Sequence, residues 1–115
     1  MNLLQSLFGP PLPSVSAAEL NEKLKNGKRP LVVDVRQPEE FRTGHINGAK
    51  LIPLGELNRR MKELPKDKEI ICMCASGNRS RSATRMLLHE GYNAVNMSGG
   101  MASWARSGLS VKKGS

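Results

Sequence analysis

Glu69-Ile70-Ile71-Cys72-Met73-Cys74-Ala75-Ser76-Gly77-Asn78-Arg79-Ser80 is the stretch on which the reading of this 115-residue chain turns. Its opening is a nearly continuous apolar run, the pattern of a strand buried on both faces in a parallel sheet. The run leads directly into Cys74. Small residues and Gly77 let the next segment curl tightly, so that successive backbone N–H groups can point inward as an anion nest. A helix follows, with Ala83, Met86 and Leu87 on one apolar face and Gly91 at its end. That helix aims the partial positive charge of its N-terminus at the same spot. In open α/β sheets, the carboxyl end of a strand is where ligands bind.

A thiol at such a junction loses its proton readily. The reference pKa of about 8.5 falls by one to several units beside helix N-termini and cations. Arg79 supplies a fixed positive charge in the loop, and Arg81 and Arg85 on the helix can add to the field. The expected state near neutral pH is a thiolate facing a basic, donor-lined cup, with Cys74 as nucleophile. Free cysteines are more often inert core residues, but the place of Cys74 before a nest favours the reactive reading. Cys72, inside the strand, is read as core, with a resolving thiol as the lesser option. Arginine at a helix N-terminus opposes the dipole, and a functional residue shows such a conflict; Arg79 is therefore read as a substrate contact. Ser80 is expected to brace the loop backbone as a cap, and Arg81 and Arg85 to form an exposed face.

Outward from this stretch, the chain alternates helices with short apolar strands. Ser16 and Glu19 make a capping box for a helix carrying Leu20 and Leu24 and ending at Gly27. Val15 stands where a hydrophobic staple would. Leu31 to Val35 is a second buried strand. Pro38 opens a short helix through Phe41, closed by Gly44. Ala49 to Pro53 is another strand, and Leu54, Leu57, Met61 and Leu64 form a helical stripe that Pro65 stops. Ala94 to Met97 is the last strand, Gly99-Gly100 turns the chain, and Met101, Trp104 and Ala105 begin a final helix. The pattern predicts an α/β domain with a mostly parallel sheet and helices on both faces. The expected divisions are an N-terminal arm (1–13), the domain (14–111) and a loose polar tail (112–115). Asp34 and Arg36 are expected to brace loops as an ion pair. His45 is read as a hydrogen-bonded turn residue, His89 as a partner of its helix C-terminus and Trp104 as core.

Composition narrows the partners. One compact domain fits this length. Cys72 and Cys74, two residues apart, are poorly placed for a bridge and too few for a structural zinc site. Free thiols suit a reducing compartment, so a cytoplasmic location is expected. No apolar run approaches a membrane span. Met1 to Pro13 lacks a basic region, and Gln5 and Ser6 interrupt its apolar stretch, which argues against a signal peptide. Leu3, Leu4, Leu7 and Phe8 fall at helical spacing; an arm that packs on the domain or frays is favoured over a docking helix, because two turns alone are marginal. Seven Lys/Arg face six Asp/Glu in residues 1–57, and eleven face four in residues 58–115. The basic half favours anionic partners. With four aromatics and no nucleic-acid-binding motif, small anions are preferred over nucleic acid.

Two reaction classes use such a cup: phosphoryl transfer through a phosphocysteine and sulfur transfer through a persulfide. Four residues separate Cys74 from Arg79, one fewer than in the Cys-x5-Arg pattern of cysteine phosphatases. The shorter loop makes a tighter cup, better suited to one sulfur atom than to a phosphate. A phosphatase also needs an acid to protonate its leaving group. No Asp or Glu lies in the loop or the first turns after it, although a distant segment could bring one.

Four stretches together resemble the rhodanese family, roughly from Val15 to Val111: Asp34-Val35-Arg36 with Glu40-Phe41; Gly44-His45-Ile46-Asn47-Gly48-Ala49 with Ile52-Pro53; the Cys74 to Ser80 loop; and Gly99-Gly100-Met101 with Trp104 and Gly108-Leu109. Ser110 departs from the family's usual proline. The resemblance implies a five-stranded parallel sheet flanked by helices and thiosulfate sulfurtransferase activity. Cys74 would carry the sulfur. Ala75, Ser76, Gly77, Asn78, Arg79 and Ser80 would hold a small anionic donor, with cyanide, a thiol or a protein as acceptor and no metal or organic cofactor. The competing readings are a non-catalytic sulfur-carrier or interaction module, and a cysteine phosphatase or arsenate reductase.

Overall fold

The computed structural model describes residues 11–115. The expectations for Leu3, Leu4, Leu7 and Phe8 lie outside that range. Among the described residues five strands form one sheet: β1 (Ser14–Val15), β2 (Leu31–Asp34), β3 (Lys50–Leu51), β4 (Ile70–Met73) and β5 (Ala94–Met97). Their order is β1-β5-β4-β2-β3, and every pairing is parallel. Around it lie α1 (Ala17–Leu24), α2 (Pro38–Thr43), α3 (Leu54–Arg60, continued by a 3₁₀ turn over Met61–Glu63), α4 (Asn78–His89) and α5 (Gly100–Arg106). Among the described residues no helix is long and apolar enough to cross a membrane.

Side chains alternate across a strand, and β4 sits at the centre of the sheet. Ile70 and Cys72 enter one core, with Val33, Val35, Leu57, Ala83 and Leu87, under α3 and α4. Ile71 and Met73 enter the other, with Leu20, Ile46, Met97 and Trp104, under α1 and α5. The same alternation carries Cys74 onto the α4 side.

Three local features differ from the sequence expectation. Val15 belongs to a strand, pairing with Met97 while Ser14 pairs with Asn96; two residues are too few for any periodicity to show. The Ser16–Glu19 capping box forms just after it. The strand expected over Ala49 to Pro53 contracts to Lys50–Leu51, since Pro53 has no N–H to donate and caps α3. The tail, expected loose, is tied down: His45 and Lys112 exchange backbone hydrogen bonds at 2.9 and 2.8 Å, and the Gly114 N–H donates to Arg42 O at 2.9 Å. Trp104 Nε1 also donates to Ser110 O at 2.9 Å. Polar composition says nothing about such main-chain pairing.

The segment that follows β2 is braced from within. Arg36 and Asp34 form the expected ion pair, both buried, with Nη2 donating to Oδ2 at 2.8 Å and to the Gly44 carbonyl at 2.8 Å. His45 stacks on Phe41 at 3.6 Å between ring centres and sets Nδ1 2.8 Å from the Phe41 carbonyl. A carbonyl only accepts, so Nδ1 carries the proton there.

Candidate active site

Gly77 makes the loop possible. Its φ of 115° and ψ of −16° are open to glycine and strained for other residues, and among the described residues none other than glycine has a positive φ. With that one turn, the Gly77 N–H donates to Cys74 Sγ at 3.1 Å and the Ser80 N–H at 3.4 Å. The nearby Ser76 amide also favours the charged form of the sulfur. The thiol in turn donates to Ser80 Oγ at 3.4 Å.

The loop is held from outside by α5. Met101 N–H donates to the Cys74 carbonyl at 2.8 Å and Ala102 N–H to the Ala75 carbonyl at 3.2 Å. Tying those carbonyls to the N-terminus of α5 fixes the Cys74–Ala75 segment. The approach is close because Gly100 has no side chain. A Cβ there would meet the Cys74 carbonyl oxygen and come within 2.5 Å of the Ala75 carbonyl group, at a φ of +57°.

Burial works against ionisation of Cys74. The Ser80 hydroxyl and the amides of Ser80, Gly77 and Ser76 outweigh it and hold the thiol below its ordinary value. Cys72 shows the contrast. Burial pushes it up to about 11, so it stays a neutral core thiol, as its place in the strand suggested. Cys74 is also deeper than a cup-rim nucleophile would be, with 1% of its surface exposed. It continues the inward alternation of Ile70 and Cys72, so the sulfur lies on the floor of the loop.

The six loop residues read as donor-binding take different places. Gly77 and Ser80 donate amides to the sulfur, Ser76 is exposed between them and Ala75, Ala75 faces α5 through its carbonyl, and Asn78 is exposed at the start of α4. Arg79 departs most from expectation. Its guanidinium is bidentate on Glu40 of α2, with Nη1–Oε1 at 2.7 Å and Nη2–Oε2 at 2.9 Å. It stands beside the cup already paired, because a planar fork and a carboxylate within reach form a charge-assisted double bond.

The bonds from Arg79, with the Gln37 amide and the charges of Arg79 and Arg36, draw Glu40 from an ordinary 4.5 to about 2 against the opposing effect of burial. Between those values the unfolded chain binds this proton and the folded chain does not. The stabilisation is therefore complete above 4.5 and is lost as pH falls through about 2. Glu40→Gln is expected to flatten the acid limb of melting temperature against pH; an unchanged slope would contradict the pairing. Glu40, Asn96 and Gly100 were not singled out as site residues from sequence. Asn96, 4% exposed on β5, accepts from Ser80 Oγ at 2.6 Å.

Residues 16–107 match the rhodanese-like domain family. A sulfurtransferase of Allochromatium vinosum is 37% identical over 98 residues, covering 84% of this chain and 92% of the relative. A crystal structure of a rhodanese-related protein from Thermoplasma volcanium has a TM-score of 0.82 at 39% identity, covering 87% of this chain and 97% of that one. The thiosulfate sulfurtransferase of Pseudomonas aeruginosa has a TM-score of 0.84 at 27% identity, covering 98% of this chain and 22% of its own.

Proposed function

The chain belongs to the rhodanese-like domain family, and from that premise we propose that it is a sulfurtransferase carrying sulfane sulfur as a persulfide on Cys74. The observation that carries the proposal is the pair of amides from Gly77 and Ser80 converging on one sulfur.

The Cys74 thiolate attacks the outer sulfur of thiosulfate. A bond forms between Sγ and that sulfur, and the bond to the sulfonate sulfur breaks. Sulfite leaves with the electron pair. Donors fixed in place before the reaction stabilise anionic charge without reorganising, so the same amides serve thiolate and persulfide. Cyanide, a thiolate or a protein acceptor then attacks the terminal sulfur and returns Cys74 to thiolate, a two-step ping-pong course. Arg79 holds positive charge at the mouth, and Glu40 uses its two Nη groups while further N–H donors remain.

Two features weigh against phosphate-ester hydrolysis. The sulfur on the floor of a tight loop suits the slender end of a sulfane donor better than a phosphate. Glu40, the carboxylate beside the loop, is ionised and bound to Arg79, which makes it a poor proton donor for a departing alkoxide.

Steady-state turnover of thiosulfate and cyanide tests the proposal, with parallel double-reciprocal lines expected. Turnover of p-nitrophenyl phosphate in place of thiosulfate would overturn it. Arg79→Ala is expected to raise the thiosulfate KM by roughly tenfold, the scale of one charged hydrogen bond. An unchanged KM would remove Arg79 from donor binding.

A further inference from the structure

Ser80 Oγ has one proton and three neighbours able to accept it. Asn96 Oδ1 lies at 2.6 Å, the Gly77 carbonyl at 3.1 Å and Cys74 Sγ at 3.4 Å. The shortest contact is to Asn96, so while Cys74 is protonated the chain of donors runs from Sγ to Ser80 Oγ to Asn96 Oδ1. Ionisation releases the Sγ proton to water and reverses the demand. A thiolate needs a donor from Ser80, and a hydroxyl still pointing at Asn96 would turn a lone pair toward the negative sulfur.

We propose that Asn96 is a positioning residue of the sulfur-transfer site, accepting from the Ser80 hydroxyl while Cys74 is a thiol and donating to it once Cys74 is a thiolate or persulfide. Asparagine suits both states, because half a turn about its last side-chain bond exchanges an acceptor oxygen for a donor nitrogen. The bond to Ser80 is the one hydrogen bond of the Asn96 side chain among the described residues, so no second partner there holds the amide against turning. With Nδ2 donating to Ser80 Oγ, the hydroxyl proton swings to Sγ. The backbone register fixes the distance, since Asn96 lies beside Cys72 on the neighbouring strand and Ser80 is in the first turn of α4. The proposal rests on Cys74 being the sulfur-carrying residue.

The other charges around the sulfur are the same in every variant at position 96. They are Arg79 from α4, Glu40 from α2, Asp34 at the end of β2 and Arg36 just after it; the Cys72 thiol of β4 is neutral. β1, β5 and the first turn of α5 bring no charged side chain.

The test is the pH dependence of Cys74 alkylation by iodoacetamide, checked by ultraviolet thiolate absorbance. It requires no transferase activity, so its failure is distinct from failure of the sulfurtransferase reading. Asn96→Leu is expected to raise the midpoint and slow alkylation at neutral pH roughly three- to tenfold, the scale of one net hydrogen bond. Ser80→Ala is expected to raise it too, and adding Asn96→Leu to Ser80→Ala to change nothing further. A wild-type midpoint in Asn96→Leu, or effects that add in the double variant, would overturn the proposal. If Asn96→Leu does not fold, Asn96→Asp, of the same shape but unable to donate, carries the test. Its midpoint should rise more, and the rise should shrink in Ser80→Ala. An unmoved midpoint, or a rise that survives undiminished without Ser80, would likewise overturn it.

Discussion

Cys74→Ala is expected to lower thiosulfate-to-cyanide transfer by on the order of a thousandfold or more while the chain still folds. The loss is large because no other group can take the covalent role. Cys72 is buried and held at about 11, and its side chain points into the core beneath α4. The cost in stability is small by comparison. Removing Sγ leaves the Gly77 and Ser80 amides without their acceptor, which costs about 1–2 kcal/mol. Cys74→Ser separates the two effects, because the hydroxyl can still accept from those amides yet does not ionise near neutral pH. It should be as inactive as alanine and closer to wild type in melting temperature. Substantial activity in either variant would remove Cys74 from the reaction.

Gly100→Ala should produce the largest loss of stability from a single methyl group. The added carbon would overlap the Cys74 and Ala75 carbonyls and force a residue with a side chain to adopt a φ of +57°. Overpacking and backbone strain together cost roughly 2–4 kcal/mol, or a fall in melting temperature of roughly 8–20 °C for a domain near this size. The activity should fall more than the stability suggests. Relief of the clash moves the start of α5 away, and Met101 and Ala102 then release the carbonyls that fix the loop. Gly55→Ala is the control, because nothing lies within 4 Å of the added carbon there, and alanine favours a helix. A Gly100→Ala protein as stable and active as Gly55→Ala would show that the close approach does not constrain the loop.

What could be read from sequence, and what could not, divides by the range of the interactions. The β4 run, the Gly77 turn and the Ser16–Glu19 cap depend on residues close in the chain, and their patterns were plain. The resemblance supplied the five-stranded sheet. The partners of the loop residues come from elsewhere. Glu40 lies 39 residues from Arg79, and nothing in the charge pattern of either segment announces their pairing. Asn96 sits in a short strand where it reads as an ordinary polar interruption, until parallel register sets it beside Cys72. Gly100 reads as part of a turn, and its closeness to the Cys74 carbonyl depends on how α5 returns to the sheet. The depth of Cys74 was implicit in the alternation of Ile70 and Cys72, although the loop's character argued for a more exposed sulfur.

Intact-mass spectrometry after brief treatment with thiosulfate tests the central claim most directly. Covalent sulfur transfer predicts a gain of one sulfur atom, ~32 Da, that cyanide removes and that Cys74→Ala never acquires. An unchanged mass under turnover conditions, or the same gain in Cys74→Ala, would contradict the account.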